Sequence, residues 1–142
     1  MKILAIIQAE KDSSRFKNKV LSRLCEFITL EHVIIRTLRY KLVDVMIIAT
    51  TERKEDDEIA QIDNKWEIKV FRGSEESLTH FFEVARIYRL EHIIRIKADC
   101  SALDSKVVNI CHYLSSFQKC LLYYEYTSAH LSVRIRYGNF FL

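Results

Sequence analysis

The chain has 142 residues, of which 49% are hydrophobic and 29% charged, and a formal net charge of +3. That is the composition of one globular domain over residues 1–142, large enough to bury about two thirds of the surface its unfolded chain would expose. The charge is too mild, and Lys and Arg too dispersed, to predict a nucleic-acid surface, and no apolar run reaches the roughly 20 residues that a membrane-spanning helix needs. The opening apolar run is too short for a signal peptide and passes directly into the polar segment Gln8 to Lys19. The expectation is a cytoplasmic protein that engages neither nucleic acid nor membrane. Cys25, Cys100, Cys111 and Cys120 lack C-x-x-C spacing and read as reduced, mostly buried thiols.

Short continuous apolar runs alternate with longer amphipathic stretches, the pattern of βαβ units around a mostly parallel sheet. The first strand is expected over Lys2 to Ile7. It feeds a loop carrying Gln8, Ser13, Ser14, Arg15 and Lys19, and hydroxyls and cations placed after an apolar strand can hold a phosphorylated ligand. The loop does so without glycine, which occurs only at Gly73 and Gly138. Thr29 is expected to cap a helix running to about Tyr40, with Leu30, Val33, Ile34 and Leu38 on one face. A strand over Val43 to Thr50, a charged helix from Lys54 to about Asn64 and a strand over Glu67 to Phe71 follow. Arg72-Gly73-Ser74 makes a tight turn into a third helix, capped by Ser74 and packed through Leu78, Phe81, Phe82, Ala85 and Tyr88. A fourth strand, His92 to Lys97, ends near Asp99. Asp104 or Ser105 then caps a helix with Val107, Val108, Cys111 and Leu114 facing inward. A strand over Lys119 to Tyr124 and the alternating Leu131 to Arg136, an antiparallel edge, complete the pattern.

Parallel crossovers are right-handed, and open α/β sheets bind ligands where the strand order reverses. With an order of 3-2-1-4, the loop after the first strand and Asp99 after the fourth reach the same edge of the sheet, which predicts a phosphate and metal site. Plainer roles remain open for each residue: a strand-end carboxylate for Asp99, an N-cap for Asp104, a structural amide for Gln8, and local backbone bonds for Ser13 and Ser14. Arg72 can face the cleft. The five histidines show no ligand spacing, and Phe140-Phe141-Leu142 favours burial against a partner copy.

The segments AIIQAEKDSSRFKNKVL, LEHVIIRTLR, IIATTERKEDDEIA, KVFRGSEESL and IKADCSALD resemble, in order and spacing, the cytidylyltransferase-like nucleotidyltransferases. The resemblance is nearest to the spore coat polysaccharide biosynthesis group, related to the acylneuraminate and ketodeoxyoctonate cytidylyltransferases. It covers roughly Lys2 to Val108 and implies a Rossmann-like three-layer α/β/α sandwich with an additional edge strand. It further implies an enzyme that joins a sugar acid or sugar phosphate to a nucleotide from CTP, releasing pyrophosphate, for polysaccharide or glycan synthesis. In that picture Gln8, Ser13, Ser14, Arg15, Lys19 and Arg72 hold the nucleotide, Arg15 and Lys19 act as catalytic cations, Asp99 binds Mg²⁺, and the protein is a homodimer.

The family loop usually reads Q-A-R-x-G-S-x-R-x-P-x-K. Here Glu10 replaces the arginine, Asp12 the glycine and Lys17 the proline, while the family's D-C-P-L-I-D appears as Asp99-Cys100-Ser101-Ala102-Leu103-Asp104. A carboxylate about 4 Å from a phosphate charge opposes it by on the order of 4 kcal/mol at an effective dielectric of about 20. Family members also continue past this point into elements that bind the sugar, add a second metal carboxylate and form the dimer, so the chain is expected to be truncated on its C-terminal side. The departures define a second reading, a catalytically inactive, degenerate homologue that acts as a binding or assembly partner.

Overall fold

The structure, a computed structural model, describes residues 3–11, 17–73, 92–99, 121–127 and 130–136. The expectations for Asp12, Ser13, Ser14 and Arg15, for the helices after Ser74 and Asp104, for Cys100, Cys111 and Cys120, and for the terminal Phe140-Phe141-Leu142 lie outside the described residues. In chain order the elements are β1 (Ile3–Gln8), the short pair β2 (Arg23–Leu24) and β3 (Phe27–Ile28), α1 (Thr29–Leu38), β4 (Val45–Thr51), the single-turn helices α2 (Asp57–Ala60) and α3 (Asp63–Trp66), β5 (Lys69–Gly73), β6 (His92–Lys97), β7 (Leu121–Thr127) and β8 (His130–Arg136).

Four strands form a parallel sheet in the order β5-β4-β1-β6, the expected 3-2-1-4 arrangement. β1 is the hub because Ile3 to Ile7 are buried on both faces. One face carries Ile3, Ala5, Ile7, Ile48, Ile94 and Ile96 and packs on Leu30, Val33 and Ile34 of α1. The other gathers Leu4, Ile6, Ile47 and Ala49 with Val45 and Phe71. Each fully buried Ile, Leu or Val among them contributes about 1.5–3 kcal/mol, so the hub is where apolar driving force concentrates.

Several boundaries differ from the sequence pattern for identifiable reasons. Glu67 takes φ 54°, outside the β region, so β5 starts at Lys69. The N-cap of α1 is Ile28 rather than Thr29. The Thr29 hydroxyl donates to the Ser22 carbonyl at 3.1 Å, and the Glu31 carboxylate caps by accepting the Ile28 amide at 3.1 Å. Leu38, expected on the buried face, is 58% exposed. At about 100° per residue it stands roughly 80° round from Leu30, and Thr37 takes the inward place.

The charged helix expected over Lys54 to Asn64 is broken into a 3-10 turn at Lys54–Asp56 followed by α2 and α3. Short-range bonding, Ile62 N–H to the Ile59 carbonyl at 3.2 Å, marks the break and keeps both isoleucines buried. Cys25 is exposed, not buried, because it sits with φ 58° in the turn between β2 and β3. β8 is antiparallel as expected, pairing with β7 in a separate two-stranded sheet. Among the described residues no helix is long and apolar enough to cross a membrane.

Candidate functional site

β1 and β6 lie side by side and parallel, with Gln8 opposite Lys97, and the ladder continues past their ends through an Ala98 N–H to Gln8 carbonyl bond of 2.9 Å. Their carboxyl ends therefore share one edge, and Asp99 follows at once in the turn after β6. Lys19 reaches the same place by a return of the first loop. Asn18 N–H bonds to the Lys11 carbonyl at 3.0 Å, and Asn18 itself takes the left-handed conformation (φ 60°, ψ 17°) that asparagine tolerates better than most residues. The turn Lys19–Leu21 is then anchored by buried Val20.

The result is a cleft of about 260 Å³ lined by Gln8, Glu10, Lys19, Arg95, Lys97 and Asp99, with Val20 and Ala98 as its apolar part. Lys19 Nζ lies 3.1 Å from Asp99 Oδ2, and both side chains are 39% exposed. Such a half-exposed pair is worth about 0–1 kcal/mol, so a ligand can open it at small cost. Deeper in the site Arg95 Nε donates to Gln8 Oε1 at 2.7 Å, its Nη2 donates to the same oxygen, and Gln8 Nε2 donates to Glu10 Oε1 at 2.7 Å. The Gln8 amide is thus oriented at both ends, its oxygen to a cation and its nitrogen to a carboxylate, by charge-assisted bonds.

Gln8, Lys19 and Asp99, singled out in the sequence, come together here. Arg72 is placed elsewhere: its Nε donates to the Thr51 carbonyl at 3.0 Å, its Nη2 to the Arg53 carbonyl at 2.9 Å, and its Nη1 pairs with Asp57 at 2.7 Å. It ties the turn after β4 and does not line this cleft. Sequence reasoning missed Arg95 and Lys97. Their signal is the stretch IIRIK, which puts a cation at every second position of a strand otherwise expected to be apolar on both faces.

A parallel sheet with a cation-bearing cleft at the carboxyl edge of its central strands defines an α/β domain of nucleotidyltransferase-like fold. The chain belongs to the cytidylyltransferase family, whose family model matches residues 4–125. It is 42% identical over 100 residues to an uncharacterized protein of Methanocaldococcus jannaschii, covering 70% of this chain and 41% of that one. It is 33% identical over 109 residues to a 3-deoxy-manno-octulosonate cytidylyltransferase of Trichlorobacter lovleyi, covering 77% of this chain and 43% of that enzyme. Among solved structures, a cytidylyltransferase from Leptospira borgpetersenii serovar Hardjo-bovis superposes with a TM-score of 0.76 at 28% identity, covering 83% of this chain and 50% of that one. The chain spans about two fifths of the length of these two curated relatives.

Proposed function

We propose that this chain takes part in CTP-dependent nucleotidyl transfer to a sugar acid or sugar phosphate, activating the sugar for polysaccharide or glycan synthesis, as a cytoplasmic homodimer. The observation that carries the reading is the meeting of Lys19 and Asp99, eighty positions apart in the chain, in one cleft beside Gln8. In nucleotidyl transfer the protein's work is to hold phosphates in place and offset the charge that builds on them. Lys19 supplies a point charge for that purpose, with Arg15 assigned to the same task by its place in the family loop. Gln8, fixed between Arg95 and Glu10, offers an oriented amide to the nucleotide.

Asp99 would hold Mg²⁺. Among the described residues no group of three or more His, Cys, Asp or Glu gathers. Mg²⁺ is ordinarily bound by one or two carboxylates plus substrate phosphates, a donor set that Asp99 fits. When bound, the ion would supply charge neutralisation on the phosphate oxygens. Lys19, now paired with Asp99, would then supply its ammonium to the same phosphates.

Calorimetric titration of the protein with CTP and Mg²⁺ tests the reading. Saturable binding is expected, and Lys19→Ala or Asp99→Ala should each weaken it at least about tenfold, or about 1.4 kcal/mol. No detectable binding at millimolar CTP overturns it. A second reading, a non-catalytic homologue that serves as a binding or assembly partner, is favoured by Glu10 lining the cleft where the family loop carries arginine. It expects nucleotide affinity only after Glu10→Arg and Asp12→Gly are combined.

A further inference from the structure

Where the Lys19 ammonium sits depends on how the backbone carries it, because lysine is a point charge on a flexible four-carbon stem. The residue before it, Asn18, holds the left-handed conformation (φ 60°, ψ 17°), which a non-glycine residue keeps where its surroundings over-determine it. Its backbone is held from both sides. Asn18 N–H donates to the Lys11 carbonyl at 3.0 Å, and the Asn18 carbonyl accepts the Leu21 amide and the Ser22 hydroxyl, each at 3.0 Å. The first of these bonds needs Lys11 to stay in place, and Lys11 is itself pinned: its N–H donates at 2.8 Å to Oδ1 of Asp56, 45 positions along the chain. Asp56 is buried, and Thr51 donates its hydroxyl to the other oxygen, Oδ2. Burying a carboxylate costs free energy that hydrogen bonds must offset, and here both oxygens serve to join two distant segments. Thr51 is fixed in turn by its place at the end of β4, by the Arg53 amide that its hydroxyl accepts at 3.2 Å, and by Arg72, whose Nε donates to its carbonyl at 3.0 Å. A line of hydrogen bonds therefore runs from the edge strand β5 through the turn after β4 to Lys11, Asn18 and the turn that carries Lys19. Arg72, which does not line the cleft, is linked to it by this line.

We infer that Asp56 is a positioning residue for the nucleotide: through Lys11 and Asn18 it sets where the turn Lys19–Leu21 presents the Lys19 ammonium to the cleft. The inference rests on the nucleotidyl-transfer reading and adds to it a residue outside the cleft lining. In positioned chemistry a displacement of about 1 Å caused by a distant change can cost about a hundredfold in rate, so an acceptor remote from the cleft can govern what happens inside it. Asp56 acts here as a pair of acceptors. Asparagine in its place keeps an oxygen for the Lys11 amide and can turn its NH₂ to Thr51 Oγ1, which leaves the line to Lys19 intact.

Amide hydrogen exchange and calorimetric titration with CTP and Mg²⁺, run on the same full-chain variants, test the inference. In Asp56→Ala the Asn18 amide should exchange about tenfold faster than in the wild type, and Asp56→Asn should restore most of its protection. Asp56→Ala should also weaken CTP about tenfold, with Asp56→Asn returning to within about threefold of the wild type. In the Lys19→Ala background Asp56→Ala should add less than about a twofold loss, because the group it positions is gone. A residue that only stabilised the fold would weaken binding equally with and without Lys19. Unchanged exchange at Asn18, failure of Asp56→Asn to rescue, or equal losses in the two backgrounds overturns the proposal. If Asp56→Ala fails to fold, Thr51→Val, which withdraws the donor from Oδ2, replaces it with an expected loss of about threefold that again requires Lys19, and no loss overturns the proposal. The wild-type titration keeps the two readings apart. Absence of CTP binding overturns the nucleotide reading and any service of Asp56 to it, with exchange at Asn18 still deciding whether Asp56 sets the turn. Unchanged exchange with CTP binding intact overturns only the positioning role.

Discussion

Glu31 is 5% exposed, and three donors from two parts of the chain converge on its carboxylate. Oε2 accepts the Ile28 amide at 3.1 Å, and Oε1 accepts Lys65 Nζ at 2.5 Å and Trp66 Nε1 at 3.1 Å. Burial alone pushes its pKa up, but the Lys65 ammonium, the Ile28 amide and the Trp66 indole together outweigh burial and hold it below the ordinary value of 4.5. A depressed folded-state pKa contributes stability that is present above the unfolded value and is lost as pH falls through the folded one. Unfolding free energy should therefore decline below pH 4.5 in the wild-type protein, and Glu31→Gln should flatten that decline. At pH 7 the substitution should cost about 1–3 kcal/mol, because a neutral amide cannot satisfy all three donors and presents an NH₂ to some of them. Urea unfolding of both proteins at neutral and acidic pH measures this, and equal slopes would show that the three donors do not set the charge. Nothing in the sequence announces the cluster. The helical spacing of α1 marks Glu31 only as a polar first-turn residue, and its partners lie 34 and 35 positions away.

The turn after β4 shows the same principle across elements. Asp56, 2% exposed, accepts the Thr51 hydroxyl on Oδ2 and the Lys11 amide on Oδ1 at 2.8 Å, while Arg72 closes over the Thr51 and Arg53 carbonyls. This one carboxylate thereby joins the end of β4 to the first loop. The apolar runs made the strands readable, since a parallel strand buried on both faces leaves a continuous signature. The broken helix was not readable, because nothing in the charged pattern marks the short-range bonding at Ile62 that ends α2 and starts α3. Asp56→Ala should orphan one buried and one half-buried donor and lower stability by about 1–3 kcal/mol, with Asp56→Asn losing less because one acceptor survives. The expected signature in urea is a lower midpoint with an unchanged m-value. Loss of the same amount in both variants would mean that the negative charge, not the acceptors, holds the turn.

At the scale of the whole molecule, the order of β1 and β6 brings the loop bearing Lys19 to Asp99, and that meeting was legible because parallel topology leaves few alternatives. Less legible was the sign of the cleft, since Glu10 reads in isolation as an anion opposed to phosphate. In the fold its carboxylate is bound to Gln8, which is bound in turn to Arg95, so among the described lining residues cations outnumber carboxylates. The chain as a whole carries only +3, so a nucleotide bound as proposed would be drawn by local clusters of cations such as the one in this cleft. Charges that are partly solvent-exposed are screened over about 10 Å at 0.1 M salt. The dissociation constant for CTP with Mg²⁺ should consequently rise about three- to tenfold between roughly 50 mM and roughly 500 mM KCl. Lys19→Ala should have a flatter dependence, because one of the screened contacts is already gone. Calorimetry across that salt series measures both slopes. An affinity indifferent to salt would place the nucleotide away from Lys19, on a surface where hydrogen bonding and stacking outweigh charge.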